Sequence, residues 1–170
     1  QKKSKNLTKA NLGSDFEDEI NESNEYYQNK NLAVIHKKPT PVQIVKVDYP
    51  ARNKAKIVEA YYKTPSTTDY NGIYKEKYID FEAKSCRELN FSFDRIYEHQ
   101  IKHLENIYNN DGIGFIIVRF NKLNKTYILM AKDLLSFLKE NERKSIPLKY
   151  FEDYAYLIEE KYIPRLDYLK

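Results

Sequence analysis

The run Ile113-Gly114-Phe115-Ile116-Ile117-Val118 constrains this chain more than any other segment. It carries no polar side chain, so a strand formed there cannot alternate between core and water and must be covered on both faces. Covering both faces of a sheet takes helices on each side, which puts the chain in the α/β class with a mixed central sheet. Tyr127–Ala131 reads as a neighbouring strand and Leu32–His36 as a shorter one. Helical spacing is expected from Ser14 to about Lys30, where Ser14-Asp15-Phe16-Glu17 has capping-box form and Phe16, Ile20 and Tyr27 mark a stripe. Further helices are expected from about Phe91 to Tyr108, with Phe93, Ile96, Leu104 and Ile107 on one face, and from about Lys132 to Glu142. A last apolar-periodic segment runs from Pro147 to Ile158.

One strand carries chemistry. In Ile79-Asp80-Phe81-Glu82-Ala83-Lys84 the side chains alternate, so Asp80, Glu82 and Lys84 share one face while Ile79, Phe81 and Ala83 share the other. If the preceding segment Ser66-Thr67-Thr68-Asp69-Tyr70-Asn71-Gly72 leads into a second strand and the chain turns at Lys75-Glu76, Asp69 lies opposite Glu82. Opposed side chains have Cβ atoms roughly 4.5 to 5.5 Å apart, and two carboxylates that close repel unless a cation lies between them. Asp69, Glu82 and Lys84 are therefore candidate catalytic residues of a metal-dependent nuclease, with further oxygen ligands available in the Ser66–Asn71 run. The same pattern also fits an ordinary charged hairpin face. Glu17 has a structural role ready as a capping residue and, as the alternative, reaches the metal or its water shell.

Composition agrees with a folded, globular protein. With 170 residues, 41% hydrophobic and 14% aromatic, the chain suits one well-packed domain over residues 13–170 behind a flexible, basic tail over residues 1–12. No apolar run approaches the roughly 18 residues of a membrane span, and no signal-peptide pattern is present, so a cytoplasmic protein with no membrane partner is expected. The single cysteine, Cys86, leaves no internal disulfide and no Cys-based metal site.

The net charge of +4 is unevenly spread. Lys37, Lys38, Lys46, Arg52, Lys54, Lys56 and Lys63 stand against only Asp48 and Glu59, so this stretch holds more than the whole net charge. Such a block suits the phosphates of a nucleic acid, and these seven residues are the candidate DNA-binding set. Strand character at Val42–Val47 and near Lys56–Lys63, with prolines at 39, 41, 50 and 65, predicts two extended segments projecting from the core, a stalk over residues 38–65. On the following helix, Gln100 lies on the apolar face and must either bond the backbone or point into the site, because a buried amide without partners costs about 1 to 3 kcal/mol. His99 and His103 stand at i, i+4, but Gln100 occupies the position where a zinc hydrolase needs its glutamate, and no third ligand is near. Surface histidines are expected.

These motifs resemble the RecU-type Holliday junction resolvases of Gram-positive bacteria and mollicutes, within the PD-(D/E)xK nuclease superfamily. The resemblance runs from about Gly13 to Tyr168 and rests on Ala33–Val45, on Ser66–Gly72, on Ile79–Lys84, and on His99-Gln100 with His103. It implies a restriction-endonuclease-like core, a homodimer, and a stalk that enters the centre of four-way branched DNA. It further implies magnesium held by Thr67, Asp69, Glu82 and Gln100, with manganese as a substitute, and Lys84 as transition-state stabiliser. The implied reaction resolves Holliday junctions by paired symmetric nicks in recombination and repair, with a recombinase as a further partner to consider. Two departures from the family pattern are Glu76 at the turn, where glycine is usual, and Ser85-Cys86 after Lys84. Two other readings share much of this chemistry: a junction-binding recombination modulator with little cleavage, and a sequence-specific restriction-type endonuclease.

Overall fold

The computed structural model describes residues 9–170, with side chains from residue 15 onward. In chain order the elements are α1 (Lys9–Asn29), β1 (Ala33–Lys37), β2 (Val42–Ala51), β3 (Lys54–Tyr62), β4 (Tyr70–Tyr74), β5 (Lys77–Cys86) and β6 (Asn90–Ser92). After a 3-10 turn at Phe93–Arg95 come α2 (Glu98–Asn109), β7 (Ile113–Phe120), β8 (Lys125–Met130), α3 (Ala131–Glu140), β9 (Ser145–Pro147), α4 (Leu148–Tyr154) and β10 (Tyr156–Ile158).

The apolar run forms β7, and it lies inside a six-stranded sheet ordered β1-β4-β5-β7-β8-β10. Its side chains divide as a doubly covered strand requires. Phe115 and Ile117 join Phe16, Ile20 and Tyr27 of α1 on one face, while Ile116 and Val118 join Leu104 of α2 and Leu134 and Phe137 of α3 on the other. The sheet is mixed: β5 and β7 run parallel, which the intervening α2 crossover permits, and the other neighbours are antiparallel.

β2 and β3 form a separate two-stranded ribbon. Every residue of β3 is exposed, as is every residue of β2 except Val47. The ribbon is rooted where β1 and β4 end. Lys38 N–H donates to the Asp69 carbonyl at 2.7 Å, and Lys63 N–H to the Pro41 carbonyl at 3.0 Å, so the pairing continues past the prolines into the stalk.

Three elements differ from their sequence expectation. The first helix already runs from Lys9, so Ser14 lies inside it and Ser14–Glu17 is not a capping box. Residues 9–12 of the expected tail are thus helical, and residues 1–8 lie outside the described residues. The expected Phe91–Tyr108 helix is two elements. Phe91 is buried in β6 opposite Ile146 of β9, Ile96 is extended, and only Glu98–Asn109 is α-helical. Both parts face one core, so their apolar residues line up in sequence as though they shared one helix. Finally, the Pro147–Ile158 segment is a short helix followed by β10, which pairs with β8 at the sheet edge.

Candidate active site

The β4–β5 hairpin turns on Lys75 and Glu76, both in the left-handed region with φ of 48° and 65°. Two consecutive positive φ values define the two-residue turn whose twist matches the flanking strands, here without the glycine that usually relieves the strain. This turn sets the register. Tyr70 lies opposite Phe81 and Asn71 opposite Asp80, which carries Asp69 to the position across from Glu82, as the alternation predicts.

Asp69 follows the loop from the stalk and is half-buried. Its N–H donates to Glu82 Oε2 at 3.0 Å, while its carbonyl accepts from Lys38 N–H. Glu82 is fully buried, and its Oε2 also accepts from Gln100 Nε2 at 3.0 Å. Its Oε1 has Lys84 Nζ at 2.5 Å as charge partner, yet accepts no hydrogen bond of good alignment. Burial pushes the Glu82 carboxyl up to about 7; Lys84 pulls it down, and the Asp69 carboxylate raises it again. Desolvation draws the Lys84 ammonium down, but Glu82, Asp69 and Glu17 outweigh it, and its pKa ends above the usual lysine value.

The arrangement is a pair of adjacent acids with one buried oxygen lacking a hydrogen bond, and a cation on one side only. That donor set suits a hard divalent ion, which takes carboxylate, hydroxyl and carbonyl oxygens. Among the described residues, no three His, Cys, Asp or Glu side chains converge on one point, so a metal held here would need neutral oxygens as well. Thr67 stands in the same loop as Asp69, with its hydroxyl accepting from Lys38 Nζ at 3.2 Å. Gln100 is brought to Glu82 as expected, but it turns the other end of its amide. Nε2 faces Glu82 Oε2 and the Thr67 carbonyl, while Oε1 accepts from Tyr97 N–H as part of the start of α2. An oxygen ligand from Gln100 requires that amide to turn over and Tyr97 N–H to lose its acceptor.

Several sequence candidates have other partners. Glu17 lines a cleft of about 530 Å³ together with Lys37, Lys38, Pro41, Thr67 and Asp69, but its carboxylate is paired with Lys37. Lys38 points inward: Nζ lies 3.0 Å from Asp80 Oδ2. Of the proposed DNA-binding set, Lys37 and Lys38 are therefore engaged within the protein, while Lys46, Arg52, Lys54, Lys56 and Lys63 are exposed on the ribbon and its root. The reason is position, since Lys37 ends β1 and Lys38 is the first residue after it, beside the Thr67–Asp69 loop. His99 stacks on Tyr97 with ring centroids 5.3 Å apart, whereas His103 is partly buried with Nε2 3.0 Å from Asp80 Oδ2.

Asp80 is the residue that sequence reasoning passed over. It is fully buried and gathers Thr68, Tyr78, Lys38 and His103. A signal was present: an acid on a strand face covered by a helix must find partners.

Known proteins resemble this chain at two levels, fold and then family. The Holliday junction resolvase Hjc of Archaeoglobus fulgidus matches the fold with a TM-score of 0.50 at 11% sequence identity, over 82% of this chain and 92% of Hjc. The mixed sheet flanked by helices is thus an α/β core of the same fold as that structure. The family model for recombination protein U matches residues 11–170. Proteins named Holliday junction resolvase RecU are 51% identical in Streptococcus thermophilus, over 99% of this chain and 86% of that protein, and 48% identical in Bacillus cytotoxicus, over 98% and 86%. One from Lactococcus lactis is 49% identical over 99% of this chain and 83% of the relative. The chain belongs to the RecU family.

Proposed function

We propose that this protein is a Holliday junction resolvase: a magnesium-dependent endonuclease, cytoplasmic and homodimeric, that resolves four-way DNA by paired symmetric nicks in recombination and repair. The observation that carries the reading is the meeting of Asp69, on the loop leading into β4, with Glu82 and Lys84 of β5, in a chain half identical to proteins named as resolvases. Asp69 and Glu82 would hold the cation, with oxygen from Thr67 and, after turning its amide, Gln100; manganese is the natural substitute for the same oxygen ligands. Such an ion, when bound, polarises a phosphodiester and acidifies a water molecule.

The remaining work falls to the chain's own groups. Glu82 Oε2 is held by the Asp69 N–H, which fixes the carboxylate before the reaction begins. Lys84, kept cationic by the acids beside it, offsets charge growing on the phosphoryl oxygens and orients the attacking water. The exposed bases of the stalk hold the DNA backbone. Dimerisation is supported by the ribbon's exposed Val42, Ile44, Ile57, Val58, Tyr61 and Tyr62, because a two-stranded ribbon with that much apolar surface is marginal alone. A twofold dimer also matches the approximate twofold symmetry of a junction.

The test is incubation with labelled four-way junction and with linear duplex in Mg²⁺, beside an EDTA control. Nicking of the junction alone, abolished by EDTA, is expected. Cutting of linear duplex at a defined sequence would make the protein a restriction-type enzyme, and binding without cleavage a recombination modulator.

A further inference from the structure

Asp80 lies beside Glu82 on the same face of β5, two residues and roughly 7 Å along the strand. The two acids are tied to the same two neighbours. Glu82 accepts from the Asp69 N–H on the loop and from Gln100 on α2, whereas Asp80 accepts from the Thr68 hydroxyl on the loop and contacts His103, three residues further along α2. A carboxylate only accepts, so the His103 proton on this side is on Nε2. Tyr78 OH adds a third donor, 2.8 Å from Oδ2.

The fourth partner gives the cluster its reach. Lys38 Nζ contacts Asp80 Oδ2 at 3.0 Å, Thr68 Oγ1 at 3.1 Å and Thr67 Oγ1 at 3.2 Å. An ammonium has three N–H donors, and all three are taken. Lys38 is the first residue after β1, at the root of the stalk, and its backbone N–H holds the Asp69 carbonyl. One buried carboxylate thus clamps the stalk root, through Lys38, onto both threonines of the loop that presents Asp69. Stability is a weak reason for such a clamp, because a buried ion pair is often no more stabilising than apolar residues of the same volume. Geometry is what it supplies.

We propose that Asp80 is a positioning residue, which through Lys38 fixes the Thr67–Asp69 loop at the root of the stalk in the form that binds the divalent cation. This rests on the reading of Asp69 and Glu82 as metal residues. Asp80 does not touch the reacting atoms in this scheme; it acts through Lys38 and Thr68.

The experiment uses the full chain with Asp80→Asn, Lys38→Gln and the double variant. Mn²⁺ binding to the DNA-free protein is read by electron paramagnetic resonance, and single-turnover junction cleavage is followed across a Mg²⁺ titration. Each single variant should weaken Mn²⁺ binding and raise the Mg²⁺ half-saturation point by about tenfold, as loss of a supporting partner does at metal sites, while near-wild-type maximal rate returns at saturating Mg²⁺. The double variant should be no worse than the more affected single, since both break one contact. Unchanged Mn²⁺ affinity and Mg²⁺ requirement in folded Asp80→Asn overturn the proposal. So does a shift in Asp80→Asn that Lys38→Gln lacks, or a rate loss that saturating Mg²⁺ does not restore. If Asp80→Asn does not fold, Lys38→Gln decides alone, because its side chain is partly exposed and tolerates change. Asp69→Asn with wild-type Mn²⁺ affinity would remove the metal reading itself, whatever Asp80 does.

Discussion

Lys84 stands at 2.5 Å from Glu82, with Asp69 and Glu17 adding to the field that keeps it charged. A cation so placed is worth most when negative charge grows on a phosphate, so Lys84→Ala should cut cleavage about 10²- to 10³-fold. Asp69→Asn should do the same, and both should keep junction binding in a gel-shift assay. Unchanged single-turnover cleavage by either purified variant would remove that residue from the site. Cys86, four residues beyond Glu82, shows the opposite environment: burial pushes its thiol up to about 11 from the usual 9.0. The unfolded chain therefore loses this proton first. Stability is untouched below about pH 9 and falls as pH rises towards 11, by at most about 1.4 kcal/mol per unit. Urea unfolding of wild type and Cys86→Ala at pH 8 and pH 10 should show that extra loss in the wild type only. At this scale Asp69, Glu82 and Lys84 were legible because a strand alternates with period two. The inward turn of Lys38 and the partners of Asp80 were not, since they come from four elements with no common spacing.

Among the elements, the β1–β4–β5 triplet carries the loop that presents Asp69, and Gly72 allows its strands to approach. A Cβ at Gly72 would lie 2.0 Å from the Val34 carbonyl oxygen and 2.7 Å from Ile35 Cα, both backbone atoms that cannot swing aside. Gly72→Ala must then push β1 away from β4. A loss of at least about 2 kcal/mol, or roughly 4 to 8 °C in a thermal melt, is expected. Cleavage should weaken with it, because Lys38 and Asp69 continue the same strand pairing. A wild-type melting temperature would show that β1 does not bear on β4 there. The hairpin register could be read from sequence because a two-residue turn at Lys75-Glu76 fixes which residues lie opposite each other. The start of α2 could not, since Phe93 and Ile96 reach the same core from a 3-10 turn and an extended residue.

For the whole molecule, the division is between a packed core and an exposed ribbon that carries Lys46, Arg52, Lys54 and Lys56. If the stalk holds DNA through its phosphates, replacing Lys54 and Lys56 with Gln should weaken junction binding and flatten its salt dependence by about 0.9 in log–log slope for each phosphate no longer neutralised. Melting should stay within about 0.5 kcal/mol of wild type, because both side chains are exposed. Fluorescence anisotropy over a salt series reads the slope, and an unchanged slope would move the DNA-binding surface elsewhere. The sequence by itself determined the α/β class, the doubly covered β7, the strand character of the exposed basic ribbon and the face shared by Asp80, Glu82 and Lys84. All four are consequences of local periodicity and charge. Only the tertiary structure decided that Lys37 pairs with Glu17 while Lys38 turns inward, that Gln100 offers its nitrogen to Glu82, and that Asp80 joins the stalk root to the Asp69 loop. Those depend on which buried donors meet which acceptors once distant segments pack, and no spacing along the chain encodes that.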